Sequence, residues 1–363
     1  MKRLALILCF LATVLPLTAQ SSKGVSLKYD LGFLYHFDNR EFDASGNDIT
    51  PSYTEHAIVF SPLIGIQIHQ GDSIRHSLMG GGDFKHDMGE QSWKHFSKEG
   101  VIYYQADVLT DSGDFQGIAG IFPRRLLEGT YSEVFFSDSV IFNDRNLEGI
   151  LLKWKSNEFY AELGCDWMGK YGHDRRERFQ LISAGNWKPS AYITLGWTGL
   201  FYHYACSELA NEVVDNHLLQ PWIKADAASL LPFWKELSLQ GGFIFTYQRN
   251  RRINDKPTFP KGGEFVITAR RKNLTFRNIS YFGDNLQPMY HAVDEAGVIY
   301  GNNLYPGLPF YTGFYDRAEL SWEPKLTDYL SLRVGARAHF SKEGFLGWQQ
   351  LVSLRFNLNS VIR

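Results

Sequence analysis

Cysteine is scarce in this chain: 3 in 363 residues, at Cys9, Cys165 and Cys206. That excludes a disulfide-stapled scaffold and a zinc site built on cysteine clusters. Net charge is nearly absent, with 37 Lys and Arg against 39 Asp and Glu, so there is no basic footprint and no nucleic-acid partner is expected. Beyond residue 17 no apolar run approaches the about 20 residues that a membrane-spanning helix needs. No glycine-rich phosphate cradle and no His or Cys cluster at ligand spacing is present. Neither a metal nor a cofactor is expected.

What the chain does carry is an export signal, aromatics and glycine. A basic start, Lys2-Arg3, precedes an apolar run from Leu4 to Leu17 and the small exit Thr18-Ala19-Gln20. This is the pattern of a secretory signal peptide, expected over residues 1–20, with one domain over 21–363. Cys9 sits inside the apolar run, too early for lipid attachment. Loss of Lys2 and Arg3 takes the basic count from 37 to 35 against 39 acidic residues, about −4. Export permits a disulfide. Cys165 and Cys206 nevertheless fall on opposite faces of different expected strands, so both are expected to stay free. Aromatics make up 15% of the chain and glycine 33 residues. An outer-membrane barrel has this composition, but a periplasmic sandwich or propeller shares it.

Alternation with period two recurs from end to end and marks strands. Val25, Leu27, Tyr29, Leu31, Phe33 and Tyr35 oppose Ser26, Lys28, Asp30, Gly32 and His36. The same pattern returns over residues 58–68, 74–85, 158–167, 237–248, 330–340 and 348–358, and is weak around 100–110, 176–187 and 262–283. A soluble sheet also alternates. Here, however, the polar face mixes Gly and Ser with full charges, as a wet lumen would. The apolar face is long enough, at about 10 residues per span, to meet lipid.

The connections separate the two readings. Those at 70–72, 155–157, 188–190 and 271–273 are short, while those near 38–52, 87–99, 123–146, 249–261 and 283–310 are long. Short turns at one end and long loops at the other fit a membrane barrel, and a sandwich has no reason to segregate them. The expected fold is all-β: an antiparallel transmembrane barrel of about 16 strands, both termini at the short-turn end. Tyr35, Tyr53, Trp154, Trp167, Trp187, Trp322 and Trp348 fall near strand ends, as an interfacial girdle would. His-Phe-Ser-Lys-Glu-Gly occurs at 95–100 and again at 339–344, and both copies read as turns closed by a glycine.

One long connection differs from the others. Residues 123–146 carry Leu126, Leu127, Val134, Phe135, Phe136, Val140, Ile141 and Phe142, too much apolar surface to remain in water. It is expected to fold into the barrel lumen.

With these residues in place the chain resembles the sixteen-stranded porins of Gram-negative outer membranes. The resemblance covers residues 24–358 and rests on the architecture, on Gly117-Ile118-Ala119-Gly120-Ile121-Phe122 leading into the third long loop, and on the closing Leu354-Arg355-Phe356-Asn357-Leu358. The chain departs from the family's terminal aromatic, because Asn359 to Arg363 follow. The resemblance implies an outer-membrane channel for small polar solutes, surrounded by lipid. It implies that Pro123 to Asn146 is the constriction loop, and it brings with it homotrimeric assembly, for which no residue here argues.

The lumen would then be set by charge. The loop offers Arg124, Arg125 and Arg145 with Glu128, Glu133, Asp138 and Asp144. The wall offers Arg317, Arg333, Arg337 and Arg355, with Asp83, Glu158, Glu162, Asp166, Glu264 and Glu319 as acidic counterparts. These groups either create a transverse field or pair and brace a wet wall. Both readings stay open, and mixed signs give no ion preference. Two other functions compete with the channel. His95/Ser97 and His339/Ser341 have the two-residue spacing of a barrel lipid hydrolase, without an orienting third group. A plugged barrel acting as receptor or scaffold would use the loop at 283–310 as its contact surface.

Overall fold

The period-two segments form strands. The computed structural model describes residues 24–42, 52–90, 97–251, 254–294, 297, 299–300 and 310–362; the expected leader at 1–20 lies outside them. The strands are β1 (Val25–Phe42), β2 (Tyr53–Gln70), β3 (Ile74–Asp87), β4 (Ser97–Thr110), β5 (Gly113–Pro123), β6 (Asn146–Lys155), β7 (Phe159–Gly169) and β8 (Arg178–Trp187). They continue as β9 (Ile193–Tyr204), β10 (Val214–Asp226), β11 (Glu236–Asn250), β12 (Asn254–Thr258), β13 (Lys261–Arg271), β14 (Leu274–Gly283), β15 (Gly313–Trp322), β16 (Leu330–Ser341) and β17 (Gly344–Ile362).

Of these 17 strands, β12 is a short ribbon on β11, which pairs directly with β13. Sixteen antiparallel strands remain in the ring. It closes where β1 pairs with β17, from Leu27 opposite Ile362 to Phe42 opposite Gly347. Closure removes both sheet edges, so every strand of the ring has two partners.

The outer and inner faces are inverted relative to a soluble protein. Ile102 is 60% exposed, and Leu152 and Leu163 are each 54% exposed. They belong to an apolar band around the outside that water would not tolerate and lipid would. Asp38, Glu162, Asp166, Glu264, Arg317 and Glu319 are buried inside. The short connections join β2–β3, β4–β5, β6–β7, β8–β9 and β13–β14, and the long ones lie at the other end. Three connections depart from the segregation: β10–β11 (227–235) and β15–β16 (323–329) are long for the short-turn end, and at the other end β16 turns into β17 over only two residues, with Gly344 at φ 120. This is the second copy of the repeated hexapeptide. The first differs, since Ser97 to Gly100 already form the start of β4 and residues 95–96 lie outside the described residues.

Three expectations of side-chain direction need correction. Tyr53 is not in an outer girdle: it lies on the inner face, its ring under the guanidinium of Arg40 at 4.8 Å. Glu158 is not on the wall but in the exposed turn after β6. The inner face is also less polar than expected. Ile118, Leu151, Ile182, Leu200, Leu218 and Ile244 point inward and are buried. Cys165 and Cys206 are both free.

The weak register at 262–283 has a visible cause. On β14 and β15 the outer face carries Asn278, Ser280 and Asp316, opposite in phase to the apolar pattern. Ser280 donates to Asp316 Oδ1 at 2.6 Å, and Asn278 Nδ2 lies 3.1 Å from each Asp316 oxygen. The three satisfy one another, which offsets part of the cost of placing them there.

Candidate functional site

Between β5 and β6 the connection spans residues 124–145, since Pro123 and Asn146 are themselves β-paired. It begins with a 3-10 turn, Arg124–Leu126, and contains one short helix, α1 (Asp138–Asn143). Ser137 caps that helix, its hydroxyl accepting from the amide of Val140 at 3.2 Å, as serine does at an N-cap.

The loop bonds to inner-face groups around the barrel. Lys153 on β6 donates to Leu126 O and Glu128 Oε1, both at 2.8 Å. Glu162 on β7 accepts from the amides of Glu128 (2.9 Å) and Gly129 (2.8 Å) and from Tyr131 Oη (2.5 Å). Thr198 on β9 donates to Thr130 O at 2.7 Å. Ser132 donates to Glu264 on β13 at 2.6 Å. Glu133 pairs with Arg317 on β15, and Asp138 with Arg337 on β16. Phe142 stacks on His36 of β1 with ring centroids 4.2 Å apart, and Asn143 donates to Glu55 on β2 at 2.9 Å. Arg145 pairs with Asp83 on β3.

The apolar residues of the loop explain the apolar inner wall. Val134, Phe135 and Phe136 are buried in one cluster with Ile118, Leu151, Ile182, Leu200 and Ile244. Each such side chain contributes about 1.5–3 kcal/mol when fully removed from water. The described part of the connection after β14 joins the same cluster through Leu286, Tyr300, Phe310 and Tyr311. Tyr311 donates to Glu264 at 2.8 Å, and Tyr300 to Glu212 at 2.8 Å. Those packing roles were not legible in that segment, which reads only as a long loop that could offer a contact surface.

Most of the expected charges meet opposite charge. Arg124, 5% exposed, holds Asp144 at 2.6 Å and approaches Asp166 at 3.6 Å. Arg125 reaches Asp30 at 2.8 Å. Arg317 and Arg337 share Glu319, and Arg333 pairs with Glu319 and Glu323. Arg355 differs. It faces inward beside Leu34, its register partner on β1, and no carboxylate of the described residues lies within ion-pair distance. Alongside these groups is a cavity of about 480 Å³ between the loop and β1, β2, β16 and β17.

Two groupings invite chemistry and do not support it. His36, Asp38 and Glu55 bring ligand atoms within 4.8 Å of one another. Yet Arg40 already holds Asp38 at 2.6 Å, and Lys85 stands 3.6 Å from Glu55, so cations of the chain occupy that position. At His339 both ring nitrogens are engaged, with Tyr315 Oη at 2.9 Å and Gln349 Oε1 at 3.0 Å. Neither is left for Ser341.

A closed sixteen-stranded ring, apolar outside and charged inside, defines an outer-membrane β-barrel. No family model and no curated protein matches the sequence. Among solved structures, a loop-deletion mutant of OmpT, an outer membrane protein of Vibrio cholerae, has a TM-score of 0.52 and 9% identity, over 93% of this chain and 100% of that one. OpdL of Pseudomonas aeruginosa gives 0.49 at 12% identity, over 92% and 99%. A triple mutant of the Rhodopseudomonas blastica porin gives 0.45 at 8%, over 92% and 100%. At these identities the likeness is one of fold. With the first of these at 0.52, what is shared is the fold, a closed outer-membrane β-barrel.

Proposed function

We propose that the chain is an outer-membrane channel for passive diffusion of small polar solutes, narrowed by the loop at 124–145. The observation that carries this reading is the loop's attachment to opposite walls: Asp138 to Arg337 on β16, and Gly129 to Glu162 on β7. A segment held on both sides divides the bore, and a divided bore selects by size and by the charges that line it. Against the lipid-hydrolase alternative, the second of its two pairs has both nitrogens of His339 engaged, while His95 of the first lies outside the described residues.

Deleting Leu126 to Phe142 should enlarge single-channel conductance in planar bilayers. An unchanged conductance removes the loop from the constriction. A second reading, a closed barrel serving as receptor or scaffold, draws on the buried cluster that joins Phe135 to Tyr300 and Phe310. Conductance of the intact refolded chain separates the two, because a closed barrel passes no current.

A further inference from the structure

We propose that the cavity beside the loop is a subsite for small organic carboxylates that carry a compact apolar group, with Arg355 as the group that takes the carboxylate. As a solute subsite, it rests on the channel reading.

Counting luminal arginines overstates how much positive charge is available. Arg317, Arg333 and Arg337 share Glu319, Arg145 is held by Asp83, and Arg124 by Asp144. A guanidinium already forked onto a carboxylate has little left to offer a solute. Among the described residues Arg355 has no such partner, and it lines the cavity together with Arg333 and Arg125. Arg333 sits opposite Ser353 on the same inner face, one step along the strand from Arg355. The two cations are therefore diagonal neighbours, about 7–8 Å apart at their backbones. Their mutual repulsion is relieved when an anion enters.

The apolar half of the ligand follows from register. Leu34 is the direct cross-strand partner of Arg355, so an alkyl surface lies within about 5.5 Å of the arginine's Cβ. Ile141, 50% exposed although it lies in the loop's helix, and Phe136 line the same space. A volume of about 480 Å³ falls in the range that accepts a small ligand. A hydrated inorganic ion leaves Leu34 and Ile141 in contact with water; a carboxylate with an alkyl or aryl tail covers them while its oxygens take the guanidinium fork.

The test is ligand-observed NMR titration of the refolded full-length chain in detergent, with phenylacetate, 2-phenylethanol and inorganic phosphate as probes, beside bilayer conductance of the same sample. Phenylacetate should bind in the millimolar range and at least tenfold more tightly than the alcohol. Arg355→Ala should weaken it by about 10- to 100-fold, as expected when a charge-assisted hydrogen bond is lost. Arg355→Lys should restore part of the affinity. Arg333→Gln, which removes an arginine already held by two glutamates, should cost less than Arg355→Ala. Equal binding of phenylacetate and the alcohol overturns the proposal, as does unchanged affinity in a folded Arg355→Ala barrel. Tighter binding of phosphate than of phenylacetate overturns the apolar half. A chain that conducts without binding phenylacetate sinks the subsite alone. One that binds it without conducting sinks the channel and leaves the carboxylate site standing.

Discussion

Glu162 on β7 takes the backbone amide of Gly129 at 2.8 Å, so a wall carboxylate grips the main chain of the loop rather than one of its side chains. The same carboxylate also receives the Glu128 amide and two tyrosine hydroxyls. A backbone grip cannot be lost by side-chain rotation, which makes it a better fixture than an exposed ion pair. The space is filled as well: a Cβ on Gly129 would stand 2.3 Å from Ala184 Cβ and 2.5 Å from Glu162 Oε1.

Two substitutions should therefore loosen the loop from the β7 side. Glu162→Gln keeps the shape but removes the negative charge from four donors, and should cost about 2–3 kcal/mol. Gly129→Ala should push the backbone off the wall by steric overlap. Both variants should give larger and noisier single-channel currents while the barrel remains heat-modifiable on gels. Quiet currents of unchanged size would mean that the loop is held elsewhere.

The pairing of Arg317 with Glu133 is of another kind. Arg317 is 1% exposed and Glu133 12%, so breaking the pair leaves a guanidinium buried without its main partner. Removing one member of a buried pair costs about 3–5 kcal/mol. The lower end applies to Glu133→Gln, because Glu319 remains 3.7 Å from Arg317. The double variant Arg317→Met with Glu133→Leu should recover most of that loss. Urea midpoints of the three proteins in detergent decide the matter: equal losses in the single and double variants would show that the charge pair was not the issue.

How much of this is legible in the sequence differs by kind of feature. The strands and their apolar faces are local patterns of period two and appear as read, and the loops segregate by length apart from the connections at 227–235, 323–329 and 342–343. The direction of Arg337 is equally local. Its bond to Asp138 is not, since 199 residues separate the two and nothing in either neighbourhood names the other. Glu162 shows the same limit: its inward face follows from alternation, while its grip on loop amides depends on where the loop lies. The apolar residues 134–136 demanded a partner, and that partner proved to be a set of inward Ile and Leu residues in strands whose inner face was expected to be polar. Of these only Ile182 lies in a stretch of weak alternation, 176–187; Ile244 sits within 237–248, where the period-two pattern is clear, so a single inward aliphatic does not announce itself.

The closing strand bears on assembly. Four residues beyond Leu358 extend it, with Asn359 to Ile362 pairing with Asp30 to Leu27. Ile362 is 49% exposed and lies on the outer face, in phase with Phe356 and Leu358. The apparent departure from a terminal aromatic is thus a longer strand that ends on an aliphatic. Truncation after Leu358 removes four cross-strand pairs, each contributing about 0.2–1 kcal/mol. It should lower stability by about 1–4 kcal/mol and slow folding into vesicles, followed by the shift in gel mobility. Wild-type folding kinetics in the truncated chain would show that closure is complete before these residues pair.

Acidity offers a test of the other wall attachment. At Asp138, crowding by protein would raise the pKa, but Arg337 and then Arg317 outweigh that and hold the carboxyl below its ordinary range. A group whose folded pKa is depressed stabilises the fold above its unfolded value, about 3.9, and loses that contribution only as pH falls through the lower folded value. The loop should therefore stay anchored to β16 as the solution is taken from about pH 7 through pH 4, and loosen only in stronger acid. Conductance recorded across that range should be flat near pH 4. Asp138→Asn, which removes the charge at every pH, should already show the enlarged, noisier current at neutrality. A step in the wild-type current centred near pH 4 and absent from Asp138→Asn would mean that Asp138 titrates as a free carboxylate, and the contact with Arg337 would then not be what holds the loop.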